Sequence, residues 1–268
     1  MGDVTVDAKG EVAAMLRAAE HDRVPCAPVR DLLPGATVAD AYEVQRVNTE
    51  LAVGLGRRVC GWKVGLTAKV VQQQFGVHQP DFGALFADRS CGDDEEIALD
   101  ELIQPRAEAE VAFVLDSDLS DRQITAIDVL RATAFVVPAI DIVDSRVQNW
   151  DISIIDTVAD NASSAMHVVG PKPTRLIDVD LREVHMTLSL DGTAVSEGTG
   201  AACLSHPVNA VVWLANTLAE VGTPLRAGDL VLSGALGPMV NVVGPGRFQA
   251  NISGLGTVRA NFTTTASS

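Results

Sequence analysis

The clearest alternation of apolar and polar positions lies in residues 104–115. Residues 107, 109, 111, 113 and 115 are all apolar, whereas Glu108 and Glu110 stand between them. A period of two predicts a β-strand, in which successive side chains point to opposite faces. The two glutamates then share one face, about 7 Å apart at ~3.3 Å per residue. In a helix, the side chains of an i,i+2 pair would point to different faces.

A second alternating segment, residues 59–66, places Lys63 on the same strand face as Gly61 and Gly65. Glycine inside a strand often marks the close approach of a ligand or of another backbone. Lys63 is therefore a candidate for contact with a ligand. The alternative is a surface lysine whose stem lies along apolar neighbours.

Helical spacing, in which apolar residues recur every three or four positions, is found in five segments. They are residues 11–20, 37–54, 67–74, 125–136 and 207–222. Thr37 and Asp40 have the spacing of a capping box, with Asp in place of the usual Glu. Gly54 is typical of the end of a helix. The first two segments predict an N-terminal helical region.

The rest of the chain predicts mostly strands and one long loop. Residues 184–190 alternate and lead into Asp191-Gly192, a typical two-residue hairpin turn. Residues 230–262 are cut by six glycines, as expected for short strands joined by tight turns. Residues 144–164 are polar with little regular period. A long ordered loop of this kind in a compact domain tends to be functional.

Composition and charge narrow the class of protein. Of the 268 residues, 47% are hydrophobic and only 4% aromatic, and the net charge is −15 without any basic run. This charge argues against nucleic acid and anionic membranes as partners. Four scattered cysteines without a CxxC pair predict free thiols in a reducing compartment. Residues 1–10 show no apolar core of a signal peptide, so we expect a cytoplasmic protein.

Four carboxylates are candidates for chemistry. Glu108 and Glu110 repel each other unless a cation lies between them, and Mg²⁺ or Mn²⁺ prefers such oxygen ligands. The alternative is the solvated outer face of an edge strand. Asp141, flanked by apolar residues, would bear a large desolvation cost alone, so it either joins the glutamates or faces a loop. Asp81, beside Pro80, is either a turn-former or a carboxylate of the site.

Six blocks of sequence resemble one known family in matching order. They are residues 61–67, 71–77, 79–83, 105–110, 156–163 and 233–240. Each block alone is weak, but the series resembles the 2-keto-4-pentenoate (2-hydroxypenta-2,4-dienoate) hydratases of the fumarylacetoacetate hydrolase superfamily over residues 10–262. The resemblance implies an α+β fold, a mixed β-roll of the fumarylacetoacetate hydrolase type. Residues 1–76 would form an N-terminal helical cap region with the first strand, and residues 77–268 the catalytic roll.

The resemblance also implies roles for individual residues. Glu108 and Glu110 match two ligands of one Mg²⁺ or Mn²⁺ ion, and Asp141 matches the third ligand, which is usually Glu in the family. Lys63 and Asp81 match positions associated with catalysis, and so does Ser163. The family further implies a homo-oligomer built on pentamers, often a decamer, and a possible complex with the decarboxylase or aldolase of the same pathway.

The activity implied is that of a metal-dependent hydro-lyase. It would add water to 2-hydroxypenta-2,4-dienoate and give 4-hydroxy-2-oxopentanoate, in the meta-cleavage degradation of aromatic or steroid rings. The alternatives are the related decarboxylase of 4-oxalocrotonate (2-oxohex-3-enedioate) and a non-catalytic partner of that decarboxylase. A carbon–carbon bond hydrolase would need a His–Glu pair to activate water. His78 is expected to be the only nearby histidine, and no Glu is placed to orient it.

Overall fold

A computed structural model of the chain describes residues 6–121 and 123–265. Six α-helices lie in these residues: α1 (Val6–Asp22), α2 (Val38–Gly54), α3 (Lys69–Phe75), α4 (Ala126–Ala132), α5 (Ile154–Ala159) and α6 (Pro207–Glu220). The strands are β1 (Val59–Gly65), β2 (Asp81–Phe86), β3 (Ser90–Cys91), β4 (Glu96–Ala98), β5 (Arg106–Leu115), β6 (Thr133–Val143), β7 (Ser164–Val169), β8 (His185–Leu190), β9 (Thr193–Thr199), β10 (Leu230–Ala235), β11 (Val240–Asn241), β12 (Gly246–Ile252) and β13 (Gly256–Thr263).

The strands form a mixed sheet of eight and an antiparallel-rich sheet of five. The large sheet has the order β2-β1-β10-β5-β6-β7-β3, with β11 also paired to β5, and the small sheet has the order β4-β13-β12-β8-β9. Four strands separate β2 from β7 in the order of the large sheet, yet β2 and β7 contact each other. The large sheet is therefore curled. The predicted α+β roll is therefore confirmed.

The alternation in β5 decides which side chains enter which core. Ala109, Val111 and Phe113 face the main core, which also receives α6 and the small sheet. Ala112 lies on the opposite face, which we name the inner face of the large sheet, in a small cluster with Leu232 of β10 and residues of β2 and β6. Glu108 and Glu110 share the face of Ala112. Because β5 is a central strand, the edge-strand alternative does not hold.

The N-terminal helices cover one end of this sheet. α1 and α2 pack on each other and on α5, around a second core that includes Val12, Val44 and Val158. The capping box of Thr37 and Asp40 is present. Outside the helices, β1 pairs with both β2 and β10, within the large sheet. The division of the chain at residue 76 stays a prediction.

The predicted helix over residues 125–136 is wrong in its second half. α4 ends at Ala132, and Thr133 begins β6. The Thr125–Asp128 capping box opens the helix as expected. Residues 133–137 are rich in β-branched and aromatic side chains. They pair with residues 112–115 of β5, at one end of a pairing that runs along the whole of β6. Pairing with a distant strand outweighs the local helical spacing.

The predicted loop at residues 144–164 also contains regular structure. α5 begins at a capping box of Ser153 and Asp156, which the sequence analysis missed. After α5, Asn161, Ala162 and Ser163 all have left-handed backbone angles, with φ of 54°, 51° and 52°. Such angles are costly for residues other than glycine and persist only where surrounding contacts hold them. The Asn161 side chain provides such contacts, since it binds both backbone groups of Ala84.

Other predicted elements agree closely with the structure. The hairpin of β8 and β9 turns at Asp191-Gly192, both with positive φ, and α3 and α6 lie within two residues of their predicted bounds. Among the described residues, no helix is long and apolar enough to cross a membrane. The expectation about a signal peptide concerns residues 1–10, of which the first five lie outside the described part.

The glycines that flank Lys63 do not leave room for a ligand. A Cβ atom at Gly61 would lie 1.9 Å from the Leu230 carbonyl oxygen, and one at Gly65 would lie 2.2 Å from Asp81 Oδ1. The first glycine therefore permits the close approach of β10, and the second makes room for a carboxylate. Lys63 owes its position to tight packing of protein groups.

We expect Gly61→Ala to lower the free energy of unfolding by about 2 kcal/mol or more, because the methyl group would push β1 away from β10. Urea unfolding followed by circular dichroism measures this change. Gly54→Ala is the matched control, since nothing lies within 4 Å of a Cβ atom there, and its effect should stay within about 0.5 kcal/mol. Equal midpoints for the two variants would contradict the tight contact.

Candidate active site

Strand pairing brings three carboxylates together on the inner face. Glu108 of β5 stands opposite Asp141 of β6, and Glu110 stands opposite Ala139. One carboxylate oxygen from each of Glu108, Glu110 and Asp141 lies within 4.8 Å of the others. Directly opposite residues of an antiparallel pair point to the same face. The cluster thus follows from the pleat of β5 and its register with β6.

Lys63 supplies a positive charge to this cluster. Its side chain is only 2% exposed, and its Nζ atom lies 2.5 Å from Asp141 Oδ2. Burial by itself would lower the pKa of Lys63, but the nearby carboxylates of Asp141, Glu108 and Glu110 outweigh it and raise the pKa. The ammonium group is therefore charged at neutral pH.

The carboxylates are poorly satisfied by protein groups. Glu110 Oε2 accepts a hydrogen bond from the Gly234 N–H group at 2.7 Å, whereas its buried Oε1 has no partner among the described residues. Within the described residues, Asp141 receives no well-directed hydrogen bond beyond the contact with Lys63. Burial and mutual repulsion raise the pKa of Glu110 well above its usual range, and burial raises the pKa of Glu108 to about 7.

The donor set fits a divalent cation. With all three carboxylates ionised, as ligation of a metal ion would require, they and the ammonium group carry a net charge of −2, which one divalent ion would balance. Carboxylate oxygens are the ligands that hard cations such as Mg²⁺, Mn²⁺ and Ca²⁺ prefer. The unpartnered oxygens of Glu110 and Asp141 are the positions where a buried polar atom needs a partner.

Asp81 lies at the start of β2 and is buried, with 2% of its surface exposed. Its Oδ2 atom accepts a hydrogen bond from Thr157 Oγ1 at 3.3 Å, and its Oδ1 atom has no partner among the described residues. Burial raises the pKa of Asp81 to about 6, although the charge of Lys63 opposes the shift. Asp81 is therefore a buried carboxylate near Lys63, and it can exchange a proton near neutral pH.

The Ser163 hydroxyl forms a hydrogen bond outside the carboxylate cluster. Its hydroxyl donates to Asp160 Oδ2 at 3.3 Å, and Asp160 forms a buried ion pair with Arg146, 2.5 Å from Nε to Oδ1. In the part of the chain that the structure describes, the Ser163 hydroxyl has no other hydrogen-bond partner. A catalytic role for Ser163 stays a prediction. Its observed hydrogen bond is to Asp160 of the Arg146–Asp160 ion pair, next to the left-handed residues 161–163.

His167 is a site residue that was not predicted from the sequence. This histidine of β7 stands opposite Asp141, is 1% exposed, and has a buried Nε2 atom without a partner in the described chain. His78, by contrast, is exposed in a turn, so the expectation that it is the nearby histidine is wrong. The available signal was a single polar residue in an apolar strand, as for Asp141. The pairing of β7 with β6 could not be read from the sequence.

Comparison with known proteins places this site in a family. The sequence profile of the fumarylacetoacetate (FAA) hydrolase C-terminal family matches residues 46–263. The chain is 53% identical over 252 residues to a 2-keto-4-pentenoate hydratase of Burkholderia vietnamiensis, covering 94% of this chain and 96% of that protein. It is 44% identical over 239 residues to a 2-hydroxyhexa-2,4-dienoate hydratase of Comamonas testosteroni, covering 88% and 90%.

A solved structure agrees with these relatives in fold. The 4-oxalocrotonate decarboxylase of Pseudomonas putida G7, complexed with calcium and acetate, has a TM-score of 0.92 and 32% identity, covering 98% of this chain and 100% of that one. The chain therefore belongs to the fumarylacetoacetate hydrolase family. The resemblance to the 2-keto-4-pentenoate hydratases, which six sequence blocks indicate, is confirmed.

The raised pKa of Asp81 gives a prediction about stability. Its folded pKa of about 6 exceeds its ordinary value of 3.8, so the folded protein holds more protons than the unfolded chain between these values. The carboxyl group then destabilises the fold progressively as the pH rises through that window. We expect Asp81→Asn to raise the free energy of unfolding by about 2–3 kcal/mol near pH 8 and by almost nothing near pH 4.

Urea unfolding at several pH values, in excess chelator, measures this difference. Asp128→Asn is the control, because hydrogen bonds from Thr125 lower the pKa of this half-buried aspartate. Its substitution should cost stability at neutral pH and less in acid, which is the opposite sign. A difference between Asp81→Asn and the wild type that does not vary with pH would contradict the assignment.

Proposed function

We propose that the chain is a divalent-metal-dependent hydratase that converts 2-hydroxypenta-2,4-dienoate and water into 4-hydroxy-2-oxopentanoate. The observation that carries this proposal is the cluster of Glu108, Glu110 and Asp141 around Lys63, in a chain 53% identical to a 2-keto-4-pentenoate hydratase. Names of the relatives support hydration of a short 2-hydroxydienoate in a meta-cleavage pathway.

Glu108, Glu110 and Asp141 would hold the metal ion. When bound, such an ion supplies positive charge for the carboxylate and the 2-oxygen of the substrate. The all-oxygen donor set favours hard cations and does not by itself choose between Mg²⁺ and Mn²⁺. The aspartate at the third position is compatible with this set, since strand pairing places it directly opposite Glu108.

The reaction needs two proton movements. Ketonisation moves the enol proton from the 2-oxygen to C5 and gives the 3-enoate. Water then adds its hydroxyl group to C4, while a proton is delivered to C3. We assign the proton transfers to Asp81, because a carboxyl group with a pKa of about 6 is both donor and acceptor near neutral pH.

Lys63 has a different part in this proposal. Its ammonium group stays charged beside Asp141, so it can donate a hydrogen bond to the 2-oxygen where negative charge develops. Tight packing around Gly61 and Gly65 holds the lysine in one position. A fixed donor of this kind stabilises the transition state without reorganisation at the moment of reaction.

The second candidate is decarboxylation of 4-oxalocrotonate, which the high structural similarity to the decarboxylase favours. Identity to that enzyme is 32%, against 53% to the hydratase, and hydration is therefore preferred. The proposals of a cytoplasmic location and of a pentamer-based homo-oligomer, with or without a pathway partner, stay predictions. Light scattering at micromolar concentration would test the oligomer.

Turnover of enzymatically generated 2-hydroxypenta-2,4-dienoate, followed by dienol absorbance and product analysis, tests the function. We expect activity with Mg²⁺ or Mn²⁺ and none in excess chelator. Glu110→Gln should abolish metal binding and turnover together. Lys63→Met should lower kcat by about 100-fold or more while metal affinity changes little, because it removes only the charged donor.

Glu50→Gln is the matched control, since this glutamate lies on the exposed surface of α2 in an ion pair with Arg46, and full activity is expected. Circular dichroism would verify that each variant folds. Full turnover by the wild type in excess chelator, or by Glu110→Gln, would refute the proposal. Release of CO₂ from 4-oxalocrotonate without hydration would select the second candidate.

A further inference from the structure

Arg106 lies two residues before Glu108 and has no anionic partner among the described residues. Ten arginines in the described chain form ion pairs with carboxylates, and Arg106 is one of five described arginines that do not. Its Nε atom is buried without a hydrogen-bond partner among the described residues. The one acceptor of its Nη1 atom in the described part of the chain is the Met239 sulfur, a weak acceptor, at 3.3 Å. In a protein with a net charge of −15, such a guanidinium group requires an explanation.

The surroundings hold this guanidinium group in place. Its carbon lies 4.0 Å from the centre of the Trp150 ring, in a cation–π contact. The indole N–H group of Trp150 donates to the Gln104 carbonyl oxygen at 2.9 Å, which fixes the ring. Trp150 and Asn149 both have left-handed φ, 54° and 59°, and strain of this kind is common at ligand clamps.

The position of Arg106 relates it to the carboxylate cluster. Arg106 is two residues before Glu108 on β5, so both side chains leave the same face of the strand, about 7 Å apart. Its backbone is paired on both sides, with Val143 of β6 and Asn241 of β11. The guanidinium group interacts electrostatically with Glu108 but forms no ion pair with it. If a divalent ion were bound to the cluster, a small anion between that ion and the Arg106 guanidinium group would have a positive charge on each side.

We propose that Arg106 binds the carboxylate group of the substrate and thereby sets the orientation of the dienoate relative to Lys63 and Asp81. This inference rests on the proposed function for the identity of the ligand, a small 2-hydroxy or 2-oxo carboxylate. Guanidinium groups match carboxylates in shape and form charge-assisted hydrogen bonds with them. Stacking on Trp150 leaves the in-plane N–H groups of Arg106 to make such bonds.

The test compares two probes that differ in one charge. Pyruvate and its neutral amide, pyruvamide, have the same size and offer the same pair of oxygen positions. Isothermal titration calorimetry of the Mg²⁺-loaded protein measures the affinity for each. We expect Arg106→Met, which keeps the stem over Trp150, to weaken pyruvate binding by about 10-fold or more. Binding of pyruvamide should change by less than about twofold, and KM for the dienoate should rise more than kcat falls.

Arg57→Met is the matched control. Arg57 also stacks on an aromatic ring, with its guanidinium carbon 4.1 Å from the centre of the Phe86 ring. It is paired with Asp88, and it precedes the first residue of β1, whereas Gly65 is the last residue of that strand. Arg57→Met should leave both affinities unchanged. Arg106→Lys keeps the charge and serves if Arg106→Met fails to fold; it should lower the affinity for pyruvate by less than Arg106→Met would.

Two results would overturn the inference. Unchanged pyruvate affinity in Arg106→Met would make Arg106 a packing residue for Trp150. Equal losses for pyruvate and pyruvamide would mean that the effect is steric. Failure of the proposed function is a separate result. If the wild-type protein does not hydrate the dienoate, but Arg106→Met selectively weakens pyruvate binding, the carboxylate-binding role of Arg106 stands and the proposed reaction does not.

Discussion

The antiparallel pairing of β5 with β6 is the constraint on which the rest of the site depends. Its register sets Glu108 opposite Asp141, and the pleat adds Glu110 on the same face. Three carboxylates in this position would repel one another strongly after burial, because like charges in a medium of low dielectric interact over short distances with little screening. Lys63 offsets one of these charges, and the remaining charge of −2 creates the demand for a divalent cation.

Holding such a cluster requires rigid surroundings that contribute little hydrogen bonding to it. The close approach of β1 to β10 at Gly61 and the packing of Asp81 against Gly65 fix Lys63 and Asp81 relative to each other. α5 reaches the site through Thr157, which donates to Asp81, and the helical cap region packs on α5. Buried groups with shifted pKa values cost stability, as is common where a protein maintains a reactive site.

Local periodicity predicted the carboxylate pair and the strand of Lys63, since a period of two determines which side chains share a face. The interaction of Lys63 with Asp141 could not be predicted from the sequence. The two residues are 78 positions apart, and their strands are not adjacent in the sheet. The same reason explains the missed His167 and the misassigned residues 133–136, whose structure depends on pairing with distant strands. Asp81 remained ambiguous because a Pro-Asp dipeptide also suits an exposed turn.

Diffraction from crystals soaked in Mn²⁺, with data collected at the manganese absorption edge, would show whether the three carboxylates bind a divalent cation. We expect one strong anomalous peak between the carboxylate oxygens of Glu108, Glu110 and Asp141, with metal–oxygen distances of about 2.0–2.2 Å, near the Mg²⁺ value. An absent peak at this position, or a peak bound by other residues while the three carboxylates remain paired only with Lys63, would contradict this expectation.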